Sequence, residues 1–215
     1  MRRPLRSAGP DSTVKSVRIL VGNEHRDQAV ATPVGHVLLL SGRPGVGKTT
    51  VIRRVAASLT GWRLAGFYTE EIREGRARQG FRAITLDGSE RIMAHFDVRG
   101  PHRVGKYGVE VPAIDELADS ALGLNPAIDC YIVDEIGRME CLSQRFIAAI
   151  QELLNSRTLV VATIAQRGGG LIAEAKQRKD IELWEVTRAN RDELPGRALT
   201  WLQALRGSLR TRRGS

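Results

Sequence analysis

The stretch GRPGVGKT, residues 42–49, constrains this chain more than any other, because a loop so rich in glycine is useful only between particular neighbours. It satisfies G-x-x-x-x-G-K-[ST] and follows HVLLLSG, a short apolar run stopped by glycine, the pattern of a buried parallel strand. Beyond the loop, Val51, Ile52, Val55, Ala56 and Leu59 recur at helical spacing until Gly61, a stop signal. Strand, loop and helix in that order are the context the motif needs. Gly42, Gly45 and Gly47 let the chain curl so that successive N–H groups point inward, an anion nest at a helix N-terminus. Lys48 adds a charge for β- and γ-phosphates, and the Thr49 hydroxyl is placed to ligate magnesium. Arg43, Pro44 and Val46 shape the loop. The competing reading is a glycine-rich turn with a chance lysine; spacing and context together favour phosphate binding.

A second signal lies at residues 130–137, CYIVDEIG, an apolar run that ends in two adjacent carboxylates. Two neighbouring charges at the end of a buried strand repel each other and resist desolvation, so a compensating charge is expected nearby. Beside a phosphate loop that charge is Mg²⁺, held by a carboxylate at the end of a neighbouring strand. Asp134 has that place. Successive residues of an extended chain point in opposite directions, so Glu135 is free to face the γ-phosphate and take a proton from an attacking water. A solvated strand end, or an ion pair between Glu135 and Arg138, is the plainer alternative.

The remaining chain alternates the two periodicities. GFYTEEI and GFRAITL flank the polar REGRARQ, which reads as a hairpin or flap. Short strands are expected near 91–96 and 106–111, and Ile114, Leu117, Ala118, Ala121 and Leu122 form one face of a helix beginning at Pro112. Ser143 is a candidate N-cap for a helix carrying Phe146, Ile147, Ile150, Leu153 and Leu154. TLVVATI (158–164) repeats the buried-strand pattern, IELWEV (181–186) is the last strand, and Ala198, Leu199, Trp201, Leu202 and Leu205 give a closing helix. RGGG (167–170) reads as a flexible loop. The fold class expected is α/β, a mostly parallel sheet covered by helices on both faces, with an inserted β-hairpin flap.

Charge sets the limits of the domain. Residues 1–36 carry six Lys or Arg against three acids, and residues 206–215 carry four arginines and no acid; of the net +9, only +2 is left for residues 37–205. A basic, disordered extension is therefore expected over 1–35, a single domain over 36–205, and a basic tail over 206–215. A core so near neutrality argues against a dedicated nucleic-acid groove, while the tails leave contact with an anionic polymer open. No run of eighteen apolar residues appears, so no membrane span is expected. Cys130 and Cys141 form no C-x-x-C pair, and His25, His36, His95 and His102 are scattered. A zinc site is not expected, and a reducing, cytoplasmic setting fits this cysteine usage.

GRPGVGKTT, GFYTEEIREG followed by GF, VGKYGV, VDEIGRME, ATI and VTRANRD, in that order, resemble the THEP-type nucleoside-triphosphatases over residues 36–200. The resemblance implies a RecA-like P-loop domain, a monomer, that slowly hydrolyses the terminal phosphate of ATP, GTP and other nucleoside triphosphates with Mg²⁺. It implies nucleotide contacts from Gly42, Arg43, Pro44, Gly45, Val46, Gly47, Lys48, Thr49 and Thr50. A second nucleotide segment would comprise Cys130, Tyr131, Ile132, Val133, Asp134, Glu135, Ile136 and Gly137. Lys48 and Glu135 would be catalytic, and Thr49 and Asp134 would hold the metal. The 35-residue N-terminal extension departs from the family pattern, the hairpin has fewer glycines than its relatives, and Gly108 weakens a presumed strand.

Other residues carry two readings each. Arg138 is either a cis arginine finger or the partner of Glu140 or Glu135. Asn190 and Arg191 either contact the base or belong to a helix-entry loop capped by Asn190 or Asp192. Arg73, Arg76 and Arg78 either close over phosphate or stay solvated. Trp184 and Trp201 read as core. A kinase, which passes the phosphoryl group to an acceptor, and a nucleotide-dependent switch associated with RNA are the rival functions.

Overall fold

The computed structural model describes residues 35–213, and side chains as far as Gly207. β1 (Val37–Ser41) leads through the glycine loop into α1 (Lys48–Ser58). β2 (Leu64–Glu74), β3 (Ala77–Thr85), β4 (Glu90–His95), the short β5 (Arg103–Val104) and β6 (Tyr107–Val109) precede α2 (Val111–Ala121). β7 (Cys130–Ile136) passes through a 3₁₀ turn at Glu140–Leu142 into α3 (Gln144–Asn155). β8 (Leu159–Ile164), α4 (Leu171–Gln177), β9 (Ile181–Glu185) and α5 (Leu194–Arg213) follow. The basic extension expected over 1–35 lies outside the described residues, apart from Gly35, and α5 continues into the segment read as a basic tail.

The described strands form one nine-stranded sheet in the order β5-β6-β4-β3-β2-β7-β8-β1-β9. β2, β7, β8, β1 and β9 pair parallel, whereas β2/β3, β3/β4, β4/β6 and β6/β5 pair antiparallel. The sheet is therefore mixed rather than mostly parallel. The expected hairpin of β2 and β3 begins an antiparallel wing continuous with the parallel half. Its walls are too apolar to stand alone as a flap: Phe67, Ala83, Met93, Ala94 and Tyr107 are buried and belong to the same core as α2.

Alternation along the parallel strands makes three layers. Val37 and Leu39 face the core shared with α2, α3 and α4, while Leu38 and Leu40 face the core shared with α1 and α5. β7 divides likewise, with Tyr131 and Val133 on one side and Cys130 and Ile132 on the other. Phe67 meets Phe146 edge to face at 6.2 Å, tying β2 to α3. Ser143 caps α3 as expected, its Oγ accepting from the Phe146 amide at 2.9 Å.

Two glycines mark close backbone approaches. Gly66 has φ 113°, and a Cβ there would stand 1.9 Å from the Ile132 carbonyl oxygen across the β2/β7 pair. Gly108, expected to weaken its strand, stands where a Cβ would meet the Val98 carbonyl oxygen at 2.1 Å. Its lack of a side chain lets the chain pass. α4 was not legible in advance: its seven residues follow three glycines and are too few to display a helical period.

Candidate active site

Parallel pairing brings four strand ends to one edge. Ser41 of β1 is in register with Ile164 of β8 and Glu185 of β9, and Ile136 of β7 is also in register with Ile164. β8 thus lies between the strand that feeds the glycine loop and the strand that ends in Asp134 and Glu135. Val46 N–H donates to the Arg43 carbonyl at 3.2 Å, and Gly45 and Gly47 take left-handed φ of 73° and 111°. Arg43, Pro44 and Gly45 are exposed, Val46, Gly47 and Thr49 half-buried, and Thr50 exposed. Lys48, the first residue of α1, is only 8% exposed. Its ammonium donates to the Gly42 carbonyl at 3.3 Å and lies 3.8 Å from Glu135 Oε1. The glycine loop and the DEIG corner therefore meet.

The two carboxylates have different surroundings, as the alternation of an extended chain suggested. Asp134 is buried, accepts from Thr163 Oγ1 at 2.6 Å through Oδ1, and accepts from Thr69 Oγ1 at 3.2 Å through Oδ2. Among the described residues no basic side chain forms an ion pair with it. Glu135 is half-buried and turned to Lys48. The Asp134–Glu135 peptide bond is cis, and the register with β8 shifts between Val133 and Ile136. Cys130, Tyr131, Ile132, Val133 and Ile136 are fully buried, so their side chains build the sheet and hold the two acids at its edge. Gly137 leaves room for the following turn: a Cβ there would stand 2.7 Å from Glu140 Oε2.

Burial raises the Glu135 carboxyl above its ordinary range; Lys48 opposes the shift and Asp134 adds to it. Glu140 is 6% exposed, and its carboxyl is pushed up to about 8, chiefly by burial, with Glu135 and Asp134 contributing in the same direction. Lys176 donates to the Gln166 carbonyl at 2.8 Å and also to the Ala165 carbonyl, just past the end of β8. Burial lowers its ammonium below the usual lysine range, with Glu135 and Lys48 acting in opposite senses. Beside Glu135 a cavity of about 180 Å³ is walled by Phe81, Met93, Val104 and Met139, with Thr69 and Glu140 also on its lining.

The other sequence candidates are placed as follows. Arg138 is exposed at the cavity mouth, and Glu135 pairs with Lys48 instead. Asn190 organises the loop after β9, accepting from Thr187 N–H at 2.8 Å and donating to the Glu185 carbonyl at 2.9 Å. Arg191 leans on the glycine loop, donating to the Val46 carbonyl at 3.3 Å. Arg73 and Arg78 are held by Glu71, and Arg73 also reaches the Arg76 carbonyl. Trp201 is buried in the core of α1 and α5, and Trp184 lies under the Arg197 guanidinium at 4.8 Å.

The profile of a family described as NTPase matches residues 37–199. Nucleoside-triphosphatase THEP1 of Thermotoga maritima is 41% identical over 171 residues, 79% of this chain and 97% of that protein. The chain belongs to the THEP-type NTPase family. The human cancer-related nucleoside-triphosphatase is 35% identical over 79% of this chain and 97% of its own length. Among solved structures, THEP1 of Aquifex aeolicus superposes with a TM-score of 0.71 at 33% identity, over 77% of this chain and 98% of that one. The solution structure of the human protein gives a TM-score of 0.66 at 34% identity, over 79% and 98%.

In this THEP-type chain, Thr69, Thr163 and Lys176 at the edge escaped the sequence reading, and Glu140 entered it only as a possible partner of Arg138. Thr163 carried the best signal, a lone hydroxyl near the carboxyl end of an otherwise apolar strand, LVVATI. Glu140 resembled a surface acid, and Lys176 one more charge in a basic stretch.

Proposed function

We propose that this chain hydrolyses nucleoside triphosphates to diphosphate and phosphate, with Lys48 gripping the phosphates and Glu135 activating the attacking water. The observation that carries the proposal is the 3.8 Å approach of Lys48 Nζ to Glu135 Oε1, made between motifs that sit on non-adjacent strands. The names of the relatives, nucleoside-triphosphatases, support the same reaction. The parallel order β2-β7-β8-β1-β9, with the loops at the carboxyl ends of the strands, supports a RecA-like P-loop assignment.

Each step falls to a named group. Residues 42–50 take the triphosphate, the loop amides and the start of α1 supplying donors to its oxygens. Lys48 balances charge at the terminal phosphate, and Glu135 accepts the proton of the incoming water, assistance usually worth about 10² to 10⁴ in rate. A raised Glu135 carboxyl is a stronger base than an exposed one, and the ammonium beside it opposes the shift and favours the ionised form. Turnover is expected to be slow, with ATP, GTP and other triphosphates accepted.

Magnesium fits the donors present. Asp134 is a buried carboxylate whose partners are hydroxyls and an amide, and Thr49 offers a hydroxyl on the first turn of α1. Both are hard oxygen donors. Among the described residues no cluster of three or more His, Cys, Asp or Glu could hold a metal by itself. That suits an ion bound through one or two protein oxygens together with substrate phosphates. Bound there, the ion would neutralise charge on the β- and γ-phosphates.

Phosphate release from ATP, GTP, CTP and UTP, with and without EDTA, tests the proposal. Release that needs no acceptor and stops with EDTA is expected; no release from any of the four overturns it. The cavity beside Glu135 favours one second reading, transfer to a small alcohol, because about 180 Å³ far exceeds the roughly 15 Å³ a single water needs. ADP formed only when an alcohol is added, with the phosphoryl group recovered on the alcohol and not as free phosphate, would favour it.

A further inference from the structure

Lys176 is a half-buried cation at the active edge that the proposed hydrolysis does not use. Its place follows from the topology. β8 lies between β1 and β7, so the residues leaving β8 emerge between the glycine loop and the DEIG corner. Ala165, the first of them, donates its N–H to the Ile136 carbonyl at 3.0 Å and shares the lining of the cavity with Glu135. α4 then turns back, and Lys176 on its last turn returns its ammonium to the Ala165 and Gln166 carbonyls.

An ammonium has three donors and no acceptor. Two are used by these carbonyls, so one N–H is left for a further acceptor. The stem is half-buried, which restricts the long side chain to this region. The balance of charge at the edge also calls for a second cation. Asp134 and Glu135 face one close positive partner, Lys48, while a triphosphate brings several more negative charges to the same place.

We infer that Lys176 is a second phosphate-binding cation, reserved for the terminal phosphate, which it contacts from α4 beside the end of β8 while Lys48 contacts the phosphates from α1. The inference rests on the hydrolase reading and deepens it. Burial and Lys48 both lower the Lys176 ammonium while Glu135 raises it, as expected for a group close enough to feel both sides of the site. A lysine that merely tied down the 165–166 loop would be indifferent to the number of phosphates bound.

The distinguishing measurement is calorimetric binding of ADP and of an ATP analogue with a non-hydrolysable β–γ bridge, in the presence of Mg²⁺. Lys176→Met should weaken the analogue about tenfold or more while changing ADP less than about twofold, and Lys176→Arg should stay near the parent. Lys176→Gln keeps donors for the two carbonyls without the charge, so it should reproduce the selective loss even if the methionine variant is poorly folded by thermal melting. Equal weakening of both nucleotides, or no weakening of either, overturns the assignment. A parent chain that binds both nucleotides and hydrolyses ATP, with the same analogue-to-ADP ratio in the variants, removes Lys176 alone. A parent chain that binds neither nucleotide removes the hydrolase reading and this inference together.

Discussion

Thr163 Oγ1 donates to Asp134 Oδ1 at 2.6 Å, with both side chains buried between β7 and β8. This bond orients the carboxylate that the sequence marks as a metal ligand. Thr163→Val keeps the shape and removes the donor, leaving the Thr69 contacts as the remaining hydrogen bonds to Asp134. A loss of about 1 to 3 kcal/mol in urea unfolding is expected. The Mg²⁺ concentration giving half-maximal phosphate release should rise by roughly 10- to 100-fold. An unchanged Mg²⁺ midpoint would show that the hydroxyl does not orient the ligand.

Glu135→Gln removes the proposed base and retains the volume. Nucleotide affinity should persist, because the loop amides and Lys48 are untouched, while phosphate release slows at least about tenfold. Single-turnover release with labelled ATP separates chemistry from product departure. Equal rates in parent and variant would take Glu135 out of the reaction.

Glu140 makes stability depend on pH. Its carboxyl rises from an ordinary 4.5 unfolded to about 8 in the fold, so between these values the folded chain binds more protons than the unfolded one. Its contribution is intact below the unfolded value and is eroded as pH climbs toward 8. Glu140→Gln should therefore flatten the fall of melting temperature between about pH 5 and 8, and should melt above the parent at alkaline pH. Each kcal/mol corresponds to about 2 to 4 °C for a chain of this size. A variant that tracks the parent at every pH would mean that Glu140 is ionised in the fold.

Gly66→Ala introduces two costs at once, a left-handed φ of 113° and a Cβ that would stand 1.9 Å from the Ile132 carbonyl oxygen. A loss on the order of 3 kcal/mol or more is expected from denaturant unfolding. Gly88→Ala is the control: φ is 93° but the space is open, and about 1 to 2 kcal/mol should be lost. Equal losses would mean that β2 and β7 can part to admit a methyl group.

The parallel half of the sheet was legible because its signals are local and strong. HVLLLSG, CYIV and TLVVATI are unbroken apolar runs, and the strands they mark fall at β1, β7 and β8. The glycine loop and Asp134–Glu135 could be paired in advance because their spacing and chemistry are specific, even though β8 comes between them. In the antiparallel wing the β2/β3 hairpin and the strands at β4 and β6 fall near their expected places, whereas β5 was missed because Arg103–Val104 is too short to show a two-residue period. Thr69 and Thr163 escaped because hydroxyls gain meaning only from the partner opposite them, a relation between distant segments. Lys176 escaped because α4 is short and its chain reversal brings a charge from the outer layer back to the edge.

β2 belongs to both halves of the sheet: Leu64–Phe67 run parallel to β7, while Phe67–Glu74 run antiparallel to β3. The crossover is at Phe67, and just beyond it, in the antiparallel segment, stands Thr69, hydrogen-bonded to Asp134. A flap on a hinge would be free to tilt over a bound molecule on its own. Here any tilt of the four outer strands pulls on Asp134, so, if that carboxylate holds magnesium as proposed, whatever presses on the wing from outside is mechanically geared to the phosphate chemistry.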